Sequence, residues 1–543
     1  MSPPRWGWDN PLWVPARRSG GSRVLRQAGP GVLPESIREA KGRAADFPSE
    51  HDSGMSNFPF GYQPIEASTW AYLSSLLMLA LFFKFNRFWS LRNFDLLLII
   101  LLAPGLLMVH YGSDLQKQYQ SVTTVQSVES AAAVVGFPVP GEEEPESTAD
   151  QPAGQDQADA SETTRLTRYQ LLERAGFVWL FAMGLIWIVR LLYDPSVQRK
   201  PMLPPNLTVG GLVFLMCSLM IFLFANVLNS KVADLSGPRG AANLANRSAQ
   251  EAGEQLRKYG PGYPLLHLIP AVPVFAEANG DRQDAPVDFL VEVARIMAIL
   301  SQIAIVGGLI FVGHRHFGDF QMGVGMATIF LMLPYTAQFA GDSMHLLPGA
   351  LLVWAIAFYR IPWLAGIFVG VAAGVCYYPF FLLPLWISFY WERGRTRFTL
   401  GALLSIVVVV SSLAFTSADL ASFFAQVQSI FGFIVPRHEG LGGIWALNWH
   451  SWFRLPFLVA FIVLCVSYAF WPAKKDLAVL ISCTAAAMVA VQFWHGDGGG
   501  LYMAWYLPLV LLVVFRPNLD DKVAVEVLAP PRAGAADPLP APA

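Results

Sequence analysis

The residues able to make and break bonds gather in four short stretches of the chain. The first is His110-Tyr111-Gly112-Ser113-Asp114, and the second runs from Gln338 through Gly341-Asp342 to His345. The third carries Arg437-His438-Glu439 and then Asn448-Trp449-His450 up to Arg454. The fourth is His495-Gly496-Asp497 with three further glycines, followed by Tyr502, Trp505 and Tyr506. Together they supply carboxylates, imidazoles and two guanidinia. That set suits transfer of a sugar from a lipid phosphate. The leaving group is already anionic, so it needs cations to hold it and no acid to protonate it. The acceptor hydroxyl needs one carboxylate base within hydrogen-bond reach. Asp114 is the candidate base, and Arg437 or Arg454 the candidate phosphate holder. Each residue also has a plain structural reading. Asp342 is placed to cap a helix. The tryptophans and tyrosines fit an interfacial belt. The His495–Gly500 run reads as a turn, and its ligand spacing specifies no metal site.

The elements that position these residues are membrane spans. Of 543 residues, 54% are apolar and only 14% are charged, against about 25% charged in a soluble domain. The mean hydropathy is +0.44. The apolar residues fall mostly in runs of roughly 15–25, long enough to cross a ~30 Å hydrocarbon layer. A single soluble globule is excluded, and no ten-residue alternation of a β-barrel is present. The expected class is all-α, a polytopic transmembrane helical bundle of about 11–13 spans. The runs lie near 69–83, 94–111, 175–192, 208–228, 288–312, 322–338, 345–359, 361–376, 380–391, 398–416, 456–472, 477–494 and 501–515. The pair 361–376 and 380–391, broken at Tyr377-Tyr378-Pro379, reads either as two crossings or as a re-entrant hairpin. Glu292 and Arg295 are the opposite charges that stand clear of span ends, spaced to pair at i, i+3. Gly366, Gly370 and Gly374 form a helix-packing stripe. The four cysteines sit inside apolar runs and read as small buried hydrophobes.

Lys and Arg mark the sides. They recur in alternate short loops, as at Lys84, Arg87 and Arg92, at Arg393, Arg395 and Arg397, and at Lys474 and Lys475. By the positive-inside rule these loops are cytoplasmic, and the four chemical stretches face out. The segmentation that follows has an N-terminal extension at 1–54, with Met55 as an alternative start. Two spans at 55–112 come next, then an outer loop at 113–174 holding an acidic disordered linker. Spans three and four occupy 175–228. An outer loop at 229–287 carries a surface helix near 241–258 that runs into Lys258-Tyr259-Gly260-Pro261-Gly262-Tyr263-Pro264. The main bundle fills 288–516, and a disordered cytoplasmic tail ends the chain at 517–543. Net charge is −2, so no basic field for nucleic acid exists.

Between residues 338 and 395 the chain resembles the polyprenol-phosphate-mannose-dependent mannosyltransferases of the GT-C superfamily. The matching pieces are Gly341-Asp342, the following helix, Arg360, Ala365-Gly366, Tyr377-Tyr378-Pro379, Leu383-Pro384 and Arg393 with Arg395. Asn448–Ser451 and His495…Tyr502…Leu507-Pro508 are weaker echoes. The resemblance implies a GT-C-like fold, a hexosyltransferase activity that takes a polyprenyl-phosphate sugar (mannose is one option) and a catalytic carboxylate in the first outer loop, which is Asp114. The candidate substrate-binding residues are Asp342, His345, Tyr378, Arg437, Arg454, His495 and Asp497. No cofactor or metal is called for. The partners are membrane lipid and the lipid-linked sugar, and the location is a bacterial inner membrane. Asp342 stands where the family has Gln, and Cys376 where it has Lys. Two other classes suit the same composition: a transporter or flippase for a polar or lipid-linked solute, and a non-catalytic membrane scaffold.

Overall fold

A computed structural model describes residues 66–117, 153–197, 204–247, 258–277, 287–430, 441–519 and 522–524, apart from 231, 233 and 448. The extension at 1–54, the alternative start at Met55, Arg437 with its neighbours, and most of the C-terminal tail lie outside these residues. Among the described residues the secondary structure is helical, with no strand. Inside lipid this is the expected outcome, because only a helix satisfies every backbone N–H and C=O within its own segment.

Five helices are long and apolar enough to cross a membrane. They are α2 (Leu91–Lys117, with a single turn residue at Leu101), the Arg168–Ser196 part of α3 (Ala153–Tyr193), α4 (Val209–Asn229), α7 (Val287–Arg315) and the Arg395–Phe415 stretch that opens with α13. α13 itself covers Arg395–Ser411, and the shorter helices are α1 (Ala67–Phe82), α8 (Phe320–Met332), α9 (Pro334–Gln338), α10 (Ser343–Ala357), α11 (Pro362–Cys376), α12 (Leu383–Phe389), α14 (Leu420–Ile430), α15 (Arg454–Ser467), α16 (Leu477–Val491) and α17 (Leu507–Phe515). α10, α16 and α17 are buried along most or all of their length and form the centre.

Several expectations change at the element ends. The run 322–338 is two helices, because Leu333 precedes Pro334 and is driven out of the helical region to ψ 135°. Of the last run, Leu507–Phe515 is the α-helical part, since Pro508 lets a helix begin there, and Met503–Trp505 before it is a single 3-10 turn. The linker is helical from Ala153 and continuous with the span that follows. Its Ala, Gln, Glu, Leu and Arg residues are good helix formers attached to a helix already nucleated. Asp114 does not lie in a loop, because α2 continues to Lys117. The surface helix expected near 241–258 starts earlier, as α5, Ser236–Asn246, which a left-handed Arg247 closes; residues 248–257 lie outside the described ones. It packs against α6 (Gly262–Glu277), an apolar helix that sequence reading passed over. Cys217 is exposed on α4, whereas Cys376, Cys465 and Cys483 are buried.

The loops rich in Lys and Arg converge on one end of the bundle. Lys84 donates to Asn206, and Gln321 donates to the carbonyl of Leu207. His316 bonds the carbonyl of Ala357, Tyr390 that of Tyr359, and Lys522 accepts from the amide of Leu477. The same end holds a buried ionic chain. Arg190 grips Asp95 with two nitrogens at 2.7 and 2.8 Å and reaches Asp194 at 3.0 Å, and Arg516 meets Asp194 at 2.7 Å. All four side chains are nearly inaccessible. Sequence reading did not join these four charges. Glu292 and Arg295 form no ion pair among the described residues; Arg295 donates instead to the carbonyl of Ser230.

The doubtful pair folds back on itself at Tyr377, and its two arms run between the two ends of the bundle. α11 rises from the cationic end, Tyr377 turns with φ +61°, and α12 returns so that Gly394 packs on Pro362. Its tip reaches Tyr259 and His495 at the opposite end. The glycine stripe does pack: added Cβ atoms at Gly366 and Gly370 would meet the backbone of α13.

Candidate functional site

The end opposite the cations is a continuous network of acids, imidazoles and aromatic rings. It begins on α2. His110 and Asp114 are one turn apart, which puts His110 Nε2 3.3 Å from the carboxylate. Gly112 between them leaves room for the backbone of Glu173 on α3, so the two helices press together here. The Asp114 side chain is 46% exposed. His110 Nδ1 is 2.9 Å from Nε2 of Gln338, the last residue of α9. His110 and Gln338 also line a crevice of about 230 Å3 walled by Trp70, Leu106, Leu107 and Phe222. Trp70 and Phe222 stack across one side at 5.0 Å.

The turn after Gln338 delivers Asp342, which caps α10 by accepting from the amide of Met344 at 2.9 Å. Its other oxygen lies 3.7 Å from His345 Nε2. His345 Nδ1 meets the Tyr335 hydroxyl at 2.6 Å, and its ring stacks between Phe339 and Tyr502. Tyr502 stacks on His495, whose Nδ1 lies 3.2 Å from both the Tyr378 hydroxyl and the amide of Asp497. Six residues taken from the sequence, Asp342, His345, Tyr378, Arg454, His495 and Asp497, therefore share one neighbourhood. Asp114 joins it through His110 and Gln338. Arg437 lies outside the described residues.

Arg454 has a structural duty as well as the role expected of it. It is buried, and its Nε and Nη2 donate to the carbonyl of Trp494 at 3.2 and 2.8 Å. A guanidinium there satisfies a carbonyl left over at the end of α16. The glycine run at 496–500 is also structural. Gly442 donates to the carbonyl of Gly496 at 2.7 Å, and Gly443 and Gly498, both with positive φ, approach so closely that a Cβ on Gly443 would touch the partner backbone. The Gln492 amide oxygen takes the amides of Gly500 and Tyr502 and fixes the turn.

Sequence reading missed the contribution of the outer segment at 229–287. Tyr259, Tyr263 and His267 stand four residues apart along the run into α6. Tyr263 and His267 both reach the Ser343 hydroxyl, at 3.0 and 3.2 Å. Gly260 brings this segment against α11, where its amide donates to the carbonyl of Val375 at 2.8 Å and a Cβ would overlap the carbonyl of Gly374. Asp234 sits beside them. Burial alone would raise its carboxyl, but hydrogen bonding from Ser236 and Tyr259 and the Lys258 ammonium outweigh it and hold the carboxyl below its ordinary range. The four-residue spacing of Tyr259, Tyr263 and His267 was a readable signal. What it would face was not.

The arrangement offers partly exposed carboxylates at Asp114, Asp342 and Asp497, an exposed ammonium at Lys258, and an apolar crevice beside the His110–Asp114 pair. It can remove a proton from a hydroxyl, hydrogen-bond a polyol, and shelter an apolar chain. Comparison with protein-family models and with curated proteins finds no match to this chain.

Proposed function

We propose that this protein is an integral membrane glycosyltransferase that moves a hexose from a polyprenyl-phosphate donor to an acceptor hydroxyl on the outer face of a bacterial inner membrane. The observation that carries the reading is the His110–Asp114 pair at the rim of an apolar-walled crevice. The polyprenyl chain lies in the crevice against Trp70 and Phe222. Asp114 takes the proton of the acceptor hydroxyl, and that oxygen attacks the anomeric carbon. The bond from that carbon to the phosphate oxygen breaks, and the lipid phosphate leaves as an anion. His110 holds the carboxylate and is itself held by Gln338. Arg437 or Arg454 holds the phosphate, Arg454 being anchored by the Trp494 carbonyl. Asp342 and Asp497 bind sugar hydroxyls.

The test uses the full-length protein in vesicles with a radiolabelled polyprenyl-phosphate hexose. Asp114→Asn is expected to lower label transfer by roughly 10²–10⁴-fold, the usual contribution of a positioned base. Because the side chain is exposed, folding should be unchanged. Equal transfer by the two proteins would remove Asp114 from the reaction. Movement of the label across the bilayer without a new glycosidic bond would replace the reading with transport.

A further inference from the structure

α14 follows the α13 span within a few residues and serves no step of the transfer reaction. Its sequence, LASFFAQVQSI, contains no charged residue. Asp419 starts it. The Asp419 carboxylate accepts from the amide of Ser422 at 2.7 Å, and the amide of Asp419 donates to the Ser422 hydroxyl at 3.0 Å. This reciprocal cap fixes the first turn. At about 100° per residue, Ile430, Phe423, Val427, Leu420 and Phe424 fall on one arc of about 120°. Gln428, Ser429 and Ser422, with Ala421 and Ala425, make up the other side. Leu420 is 77% and Phe424 65% exposed, and Phe423, Val427 and Ile430 are half-buried.

α13 ends where the acidic network lies. Gly366 and Gly374 of α11 pack on Phe398 and Val409 of α13, so both helices run away from the cationic end. Along α13, Leu400, Leu403, Leu404, Val407 and Val408 are exposed, and so is Phe415 just beyond it. They make one apolar face at helical spacing, the face that a span turns toward acyl chains. The four residues from Thr416 to Asp419 reach at most about 14 Å, so α14 begins close to the end of that face. It does not continue the span. A straight helix would put residue 426 about 15 Å beyond residue 416. Instead Gln426 is buried against the end of the span. The hydroxyls of Thr416 and Ser417 donate to its amide oxygen at 3.4 and 3.2 Å, and its amide nitrogen donates to the carbonyl of Thr416 at 3.3 Å. α14 is thereby folded across the end of the span, where hydrocarbon gives way to headgroups. Trp449 and Trp452 stand exposed at the same end, and the membrane interface favours tryptophan there.

We propose that α14 lies in the headgroup layer of the leaflet on the acidic side, with Leu420, Phe423, Phe424, Val427 and Ile430 among the upper acyl-chain carbons. Its partner is the lipid surface. With no Lys or Arg in the helix, attachment depends on buried apolar area and not on anionic lipid. The tether to α13 supplies what so short a helix lacks, because it holds the apolar arc at the interface at a high effective concentration. The placement requires α13 to span the bilayer and requires no sugar transfer.

The experiment places a nitroxide at Phe424→Cys and, separately, at Ala425→Cys, in the full-length Cys217→Ser protein in phosphatidylcholine vesicles; the other three cysteines are buried. Collision with oxygen, which concentrates in hydrocarbon, and with neutral nickel ethylenediaminediacetate, which stays in water, gives the depth of each label. The label at Phe424 is expected about 5–10 Å below the phosphates, and the label at Ala425 at or above them. Both depths should hold when phosphatidylglycerol replaces part of the phosphatidylcholine. An unchanged unfolding midpoint checks each variant, and Leu420→Cys replaces Phe424→Cys if that variant does not fold. Equal access of the nickel complex to the two positions would put the arc in water and overturn the proposal. Shielding of Phe424 from both reagents would overturn it too, since protein would then cover the arc; loss of that shielding on dilution of the protein in lipid would identify the cover as a second copy. Insertion confined to vesicles that hold phosphatidylglycerol would also overturn it, because an uncharged helix has no means of selecting them.

Discussion

His110 and Asp114 owe their meeting to one helical turn, and their place at a crevice to two other helices. The exposed Asp114 carboxylate and the more buried Asp342 show how the same residue type is set to different work. Asp342 spends one oxygen on the amide of Met344 and lies beside His345, so its loss costs structure as well as chemistry. Asp342→Ala is expected to destabilise by about 1 kcal/mol through the lost cap, read as a lower thermal midpoint, whereas Asp114→Asn leaves the midpoint unchanged. Asp234 gives a pH signature. Its carboxyl lies below the ordinary range in the folded protein and near ~3.9 when unfolded. Its contribution is therefore complete above about pH 4 and is lost as pH falls through the folded value. Thermal midpoints measured from pH 7 to pH 3 should drop less steeply at the acid end for Asp234→Asn than for wild type, with the variant already lower at pH 7. Parallel curves would show that Asp234 does not titrate with folding.

The elements are joined by two kinds of contact that behave differently when cut. The ionic chain of Asp95, Arg190, Asp194 and Arg516 ties α2, α3 and the end of α17. Removing one member strands a buried charge. Arg190→Met should cost about 3–5 kcal/mol, seen as loss of folded protein in detergent. Arg190→Met combined with Asp95→Asn should recover part of that loss, because fewer charges are left unpaired. A double variant as poor as the sum of its parts would show that the two residues do not act on each other. Gly260 shows the second kind of contact, a backbone approach with no space between. Gly260→Ala should push the Tyr259–His267 segment off α11 and expose it to protease, while Gly210→Ala, on a surface with nothing within 4 Å, should change nothing.

At the scale of the whole molecule, the charge pattern and the contacts agree on two chemically distinct ends. One gathers Lys84, Arg190, Arg360, Lys475 and Arg516, and the other gathers Asp114, Asp234, Asp342 and Asp497. The positive-inside rule predicts the cationic end at the cytosolic surface and the acidic end turned outward. Single cysteines at Ser113 and at Ser196, in a background with Cys217 replaced, should be labelled by an impermeant thiol reagent in intact cells at Ser113 alone. Labelling at Ser196 alone would invert the protein and move the acidic network to the wrong compartment for a lipid-linked donor on the outer face.

The sequence by itself determined the helical class, the polar stretches and the alternation of charge along the chain. These depend on local hydropathy, and the bilayer that sets the length of an apolar run reads it one segment at a time. It also showed where prolines would interrupt the runs, although the break at Leu333-Pro334 became visible only as two helices. The tertiary structure decided what faced what. Arg454 was a candidate phosphate ligand by its charge, and only packing showed that its fork also closes on Trp494. Asp95 and Arg190 were unconnected in the sequence until packing removed both from water and paired them. Tyr259, Tyr263 and His267 were a pattern without a target until Gly260 and Gly374 let the backbones touch. Each of these contacts joins residues at least 40 positions apart in the chain, and no local rule of composition or spacing carries information across such a distance.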